Sequence, residues 1–173
     1  MSVIINASQT SGLVMTSDLS GVLTLQQNGV SLPNGGVAPA FSAYGSVATS
    51  LSNSAFTKIT FDTELFDTNS NFASNRFTPT VAGYYQLNSA VSLGAWAATV
   101  TTIAIYKNGS EFLRGIVNAN TAASIANIVS GLVYANGSTD YFEIYGYQNS
   151  GLANSTGSGS NLVWFNGSLV RGA

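Results

Sequence analysis

The chain has 173 residues, a formal net charge of −2, and neither cysteine nor histidine. These absences exclude disulfides, thiol redox chemistry, thiolate metal sites and Ser–His or Cys–His catalysis. Charged residues make up 7% of the chain, against about 25% in an ordinary soluble domain, and no basic run offers a footprint for nucleic acid.

A surface so poor in charge is weakly protected against association. It points to an exterior covered by copies of the chain or by a partner. Apolar runs are broken by Asn, Ser and Gly well short of the ~20 residues a membrane-crossing helix needs, so no membrane insertion is expected. Met1–Asn6 shows neither the basic cluster nor the long apolar region of a secretion signal.

Residues 1–36 differ in character from the remainder of the chain. Gly12–Gly21 and Val22–Gly29 are predicted to form two or three short strands separated by Asp, Ser and Gly turns. Leu13, Met15, Val22 and Leu25 are too few to make a core, so the segment reads as an arm that must lie on something else. Pro33–Gly36 and Pro39 form a linker. The division is therefore an N-terminal arm over 1–36 and a domain over 37–173.

From Ala40 onward the pattern is one of strands. They are predicted at Phe41–Tyr44, Ser54–Phe66, Arg76–Thr78, Tyr84–Leu93, Val100–Lys107, Glu111–Val117, Ala123–Ala135, Asp140–Gln148 and Leu162–Val170. Asn108-Gly109 is a strong hairpin signal, and the Asn-Gly-Ser triplets at Asn108, Asn136 and Asn166 read as turns. No window holds apolar residues at helical spacing between caps. The expected class is an all-β sandwich.

The pivot of the domain is Arg76–Leu93. Pro79 cannot donate to a ladder and Gly83 tolerates positive φ, so the chain reverses between them. Beyond Gly83 the side chains alternate. Tyr85, Leu87, Ser89, Val91 and Leu93 belong in a core. Tyr84, Gln86, Asn88, Ala90 and Ser92 form a face of aromatic and amide groups that suits neither a core nor free solvent, a candidate subunit interface.

Phe41-Ser-Ala43, Phe77–Tyr85, Ile105–Gly109, Ser130–Val133 with Asn136-Gly137, and Phe165–Leu169 resemble the C1q-like globular domain. The resemblance runs in unbroken order over about residues 38–173. It implies a ten-stranded jelly roll of the C1q/tumour-necrosis-factor kind, two five-stranded sheets assembled as a homotrimer, here preceded by the extended arm. There are departures: no collagen repeat precedes the domain, Thr78 and Thr80 stand in a turn that usually carries cysteine, and Asn136–Asp140 replaces a tighter Gly-Asp turn. Thr16–Gly29 is similar to segments of tailed-bacteriophage structural proteins, where C-terminal domains of this type are common.

By that likeness Tyr84, Gln86 and Asn88, with Trp164, Asn166 and Ser168 on the last strand, face a threefold axis. Were the last strand shifted by one residue, Trp164 would instead be an ordinary core residue. Asp62, Glu64 and Asp67 are the one dense carboxylate group. On a strand, residues 62 and 64 stand about 6.6 Å apart on one face, within the range of two-carboxylate glycosidases. No sugar cleft accompanies them, so no enzyme activity is expected. Oxygen ligands at this spacing could hold calcium, although a solvated strand edge is the simpler reading, and no cofactor is expected.

The Gly/Ser/Asn-rich Gln148–Ser160 is a long connection that would be mobile if alone. It is also a possible recognition surface through Asn149, Asn154 and Ser158. The expected function is a non-enzymatic virion protein, a trimeric capsid decoration or cement protein. Its arms, anchored by Ile4, Leu13 and Leu23, would bind the major capsid protein or another virion protein by strand addition. The alternative is a receptor-binding tip of a tail fibre or spike recognising a host-surface glycan or protein. A soluble C1q-like ligand of a cellular host is the third reading, and it lacks a secretion signal and a stalk.

Overall fold

The computed structural model describes residues 38–94, 98–120 and 124–173, together with four two-residue strands nearer the N-terminus. Those strands are β1 (Thr16–Ser17), β2 (Leu23–Thr24), β3 (Gln26–Gln27) and β4 (Val30–Ser31). They pair antiparallel as β1 with β2 and β3 with β4. Of the three arm anchors, Leu23 falls in β2, while Ile4 and Leu13 lie outside the described residues.

The domain then continues through β5 (Ala40–Tyr44), β6 (Ser50–Leu51), β7 (Thr57–Lys58), β8 (Thr63–Asp67), β9 (Phe72–Ala73), β10 (Arg76–Phe77) and β11 (Gly83–Leu93). Its second half holds β12 (Ala98–Lys107), β13 (Ser110–Arg114), β14 (Asn118–Asn120), β15 (Ile125–Ala135), β16 (Phe142–Gln148), β17 (Asn154–Ser155) and β18 (Val163–Gly172). Two sheets sandwich the core. The smaller runs β15–β11–β18–β5–β8, and the larger runs β13–β12–β16–β10–β9 with β14 added on β12 and β7 on β16. Where two five-stranded sheets were expected, the described residues form one of five strands and one of seven.

Local chemistry explains the turns. Ser74 (φ 52°) and Asn75 (φ 59°) join β9 to β10, and Asn108 (φ 54°) and Gly109 (φ 80°) join β12 to β13. Two consecutive residues at positive φ match the right-handed twist of the flanking strands. Asn136 builds a wider loop: its Oδ1 accepts from the N–H groups of Ser138, Thr139 and Asp140. Asn166 is no turn at all, since it lies inside β18. The glycine after it is required because a Cβ on Gly167 would sit 2.4 Å from Leu87 Cδ2 and 3.0 Å from Phe41 Cε1.

The single strand expected at Ser54–Phe66 divides in two because the chain changes sheets there. Lys58 pairs with Tyr145 in the larger sheet, and Thr63 pairs with Tyr44 in the smaller. Between them Ile59 and Phe61 both turn into the core. That core is dominated by aromatic contacts around Phe41, whose ring centroid lies 4.2 Å from Phe77, 4.9 Å from Phe165 and 5.2 Å from Phe72.

Both ends of the domain chain leave from one pole of the sandwich, where Leu169 N–H donates to Pro39 O and Ala173 N–H donates to Ala82 O. The loops 45–49 and 156–162 meet at the other pole, where Gly159 N–H donates to Gly45 O and Thr156 N–H to Thr49 O.

Candidate subunit interface

The alternation along β11 places its two sets of side chains as the sequence implies. Tyr85, Leu87, Ser89, Val91 and Leu93 are fully buried, whereas Tyr84 is exposed and Gln86 and Asn88 are half-buried. Ala90 and Ser92 belong to the outer set yet are also buried. Ala90 stands between Trp164 and Ile128 in the pairing, and Ser92 lies under Gly157 of the long connection. In β18, Val163 and Phe165 point inward, so Trp164 faces outward and is half-buried. The shifted register, with Trp164 in the core, is not the one adopted.

Strand pairing assembles these side chains into rows across the smaller sheet. One row reads Phe66, Ser42, Asn166, Asn88 and Ser130. The row on one side reads Tyr44, Trp164, Ala90 and Ile128, and the row on the other reads Ala40, Ser168, Gln86 and Leu132. Tyr84 and Tyr134 come next, their rings 5.5 Å apart. An amide and hydroxyl belt is thus framed by aromatic and aliphatic groups.

The belt is knit by side-chain hydrogen bonds. Asn88 Nδ2 donates to Asn166 Oδ1 at 3.2 Å, and Ser130 Oγ donates to Asn88 Oδ1 at 2.7 Å. Gln86 Nε2 lies 3.0 Å from both Asn88 Oδ1 and Ser130 Oγ. Phe66, Tyr84, Ile128, Leu132, Tyr134 and Val170 are left 43–61% exposed on this side of the molecule. Across β5, β11, β15 and β18 the one charged side chain is Arg171, and the edge strand β8 adds Glu64 and Asp67. A broad apolar face without charge is costly to keep wet.

Sequence reasoning placed Tyr84, Gln86, Asn88, Trp164, Asn166 and Ser168 on this face but missed Ser42, Tyr44, Ile128, Ser130, Leu132 and Tyr134. The period-two spacing of Ile128, Ser130, Leu132 and Tyr134 was available. The opposite set of β15, with Val129 and Val133, is equally apolar, so the pattern did not say which side turned inward.

The carboxylates Asp62, Glu64 and Asp67 do not gather. Asp62 precedes β8 and accepts from Ser46 N–H at 2.6 Å and Ser46 Oγ at 2.7 Å. The backbone and then the side-chain donor of Ser46 hold its carboxyl below the usual value. Asp67 instead caps the next turn, accepting from Phe72 N–H at 2.7 Å. Among the described residues no three carboxylate, histidine or cysteine side chains are placed to hold a metal ion.

The Gln148–Ser160 connection is strapped down. β17 pairs with β6, and Thr49 N–H donates to Thr156 Oγ1. The fully buried Gln148 donates to Leu51 O and Leu152 O and accepts from Ser150. Asn149 Oδ1 accepts from Val100 N–H, Asn154 Nδ2 donates to Ser150 Oγ, and Ser158 is exposed.

No family model matches the chain, and no curated protein matches it in sequence. Solved structures do match in shape. The globular domain of zebrafish complement 1qA protein is 20% identical with a TM-score of 0.58, covering 79% of this chain and 100% of its own. Murine APRIL at pH 5.0 is 11% identical with a TM-score of 0.59, covering 78% of this chain and 100% of its own. PRD1 vertex protein P5 is 16% identical with a TM-score of 0.56, covering 79% and 99%. The fold is therefore a jelly-roll sandwich of the C1q and tumour-necrosis-factor type.

Proposed function

We propose that this protein is a non-enzymatic structural component of a virion, a homotrimer that buries the outer face of its smaller sheet and is tethered by its N-terminal arm. The observation that carries self-association is the uncharged aromatic and amide face of that sheet. A whole Tyr or Trp side chain removes roughly 150–250 Å² from water. Tyr84 is 43% exposed and Trp164 half-buried in the single chain, so each adds at most about 2–3 kcal/mol on association. Three copies of Tyr84 and Trp164 would hold a trimer firmly. Support for the virion setting comes from the fold shared with a phage vertex protein and from the resemblance of Thr16–Gly29 to tailed-phage segments.

Within that setting we favour capsid decoration. Three arms leaving one pole of a rigid body combine by effective concentration, raising avidity by roughly 10²–10⁴ over one arm. A second reading, the receptor-binding tip of a fibre or spike, draws on the strapped loops at the opposite pole. There Leu152 and Ser158 are exposed on a connection without a charged residue.

The decisive experiment is the double substitution Tyr84→Asp with Trp164→Asp, followed by light scattering. A monomer or an insoluble product is expected, and a double variant that remains trimeric removes this face from the interface. Deleting residues 1–30 should leave a folded trimer that no longer binds virus particles. Undiminished particle binding by that truncation would refute the role of the arm.

A further inference from the structure

The belt on the smaller sheet is satisfied within the chain at its centre and open at its two ends. Asn88 uses both halves of its amide: Nδ2 donates to Asn166, and Oδ1 accepts from Ser130 and Gln86. Asn166 spends its Oδ1 on Asn88, and no hydrogen bond from its Nδ2 is found among the described residues. Gln86 spends its Nε2 on Asn88, Ser130 and Leu87 O, and its Oε1 likewise accepts nothing among them. One copy therefore presents a free donor on β18 and a free acceptor on β11, set between apolar rows that lack charge. Gln86 lies in the row next to that of Asn166, opposite Ser168, so a second copy offers the complementary group one row away on the same sheet face.

We propose that the belt continues from copy to copy: Asn166 Nδ2 of one subunit donates to Gln86 Oε1 of the next, closing a ring of amides inside the trimer. The inference rests on the trimer reading and adds the contact that fixes its register. A cyclic assembly uses two different patches per subunit, and a donor end and an acceptor end meet that need. The flanking rows supply most of the burial energy, but apolar contact is nondirectional and tolerates sliding. A buried polar pair does not, because a slipped register leaves both partners unsatisfied at a cost that apolar contact does not impose.

The test is Asn166→Asp. It keeps the oxygen that accepts from Asn88 and replaces the free donor by an acceptor, so the change falls on the contact between copies. Sedimentation velocity across a dilution series, with the wild-type chain at each pH and circular dichroism to check folding, reads the outcome. The expected result is a trimer weakened at least about 100-fold at neutral pH, recovering relative to wild type once a protonated carboxyl can donate, below about pH 4. Gln86→Met, which removes the acceptor without adding charge, should weaken the trimer about tenfold with no recovery in acid.

Wild-type affinity for Asn166→Asp at neutral pH, or equal weakness at both pH values, overturns the ring while leaving the trimer in place. If Asn166→Asp does not fold, unchanged affinity of Gln86→Met overturns it. A wild-type chain that is monomeric throughout removes the trimer reading itself.

Discussion

The two outward faces of the sandwich solve the same problem in opposite ways. The larger sheet also turns aromatic side chains outward, but apart from Phe112, which is 51% exposed on β13, it caps them within the chain. Tyr106 stacks on Tyr145 at 4.0 Å between centroids, and Phe56 closes over Tyr106 and Tyr147. Arg114 lies 5.3 Å above Phe56 and is paired with Glu111. Arg76 lies 3.8 Å above Tyr141 and shares the buried carboxylate of Glu143 with Lys58. Cations and rings there cap one another within one chain. On the smaller sheet one ring is capped, Tyr134 by Lys107 at 5.7 Å, while the amide belt ends in an unspent donor and acceptor. The difference separates a face finished by folding from a face that assembly must finish.

If that contrast is right, damage to the larger sheet should lower the stability of the single chain and leave association alone. Glu143→Ala is the strongest such change. It leaves Lys58 and Arg76 without their shared carboxylate and Tyr145 Oη without its acceptor. Removing one partner of a buried ion pair costs about 3–5 kcal/mol. The low end, about 3 kcal/mol, is expected because both cations retain access to water. Denaturant unfolding of the variant below the concentration at which subunits associate measures it. A shift in subunit affinity rather than in unfolding midpoint would break the comparison.

The same group gives the next largest effect, in acid. Burial alone would raise the Glu143 carboxyl, but hydrogen bonds and attraction from Lys58 and Arg76 outweigh it and hold the carboxyl below 4.5. The hydrogen bond from Asn108, with Lys107 beside it, likewise holds Asp140 below 3.8. Groups depressed in this way bind fewer protons folded than unfolded. Their contribution is complete above the unfolded value and is lost as pH falls through the folded one. Thermal stability should therefore be flat near neutrality and decline below about pH 4.5, with a shallower decline in Glu143→Gln. An identical acid profile for the variant and the parent would place the sensitivity elsewhere.

How much of this was readable in the chain depends on the distance over which partners meet. β11 was legible because Pro79 precedes it and its alternation is local. Gly83, however, is its first residue and not a positive-φ turn, a glycine because a Cβ there would sit 2.4 Å from Arg171 O. Trp164, Asn166 and Ser168 were legible because β18 repeats the same pattern. Glu143 was not legible, since its partners Lys58 and Arg76 stand 85 and 67 residues away and nothing in the spacing marks them. The strap on the Gln148–Ser160 connection was hidden for the same reason: Thr49 and Thr156 are 107 residues apart. Asn166-Gly167 misled because the glycine answers to the packing of Leu87 and Phe41 and not to a turn.

The smallest expected effect separates the faces within two residues. Tyr84 and Tyr85 are neighbours on β11 and point to opposite sides. Tyr85 is fully buried and donates its hydroxyl to Val81 O at 2.8 Å, and burial pushes its phenol up to about 12. Tyr85→Phe removes that bond and leaves Val81 O partly reachable by water, which costs about 1 kcal/mol. For a chain of this size that is a fall of about 2–4 °C in Tm, with subunit affinity unchanged. Tyr84→Phe should do neither to the single chain, because Tyr84 is exposed and no described group receives its hydroxyl. Equal losses of Tm from the two substitutions would mean that the outer face is already closed by something within the chain. The division between a finished and an unfinished face would then fail at its most local point.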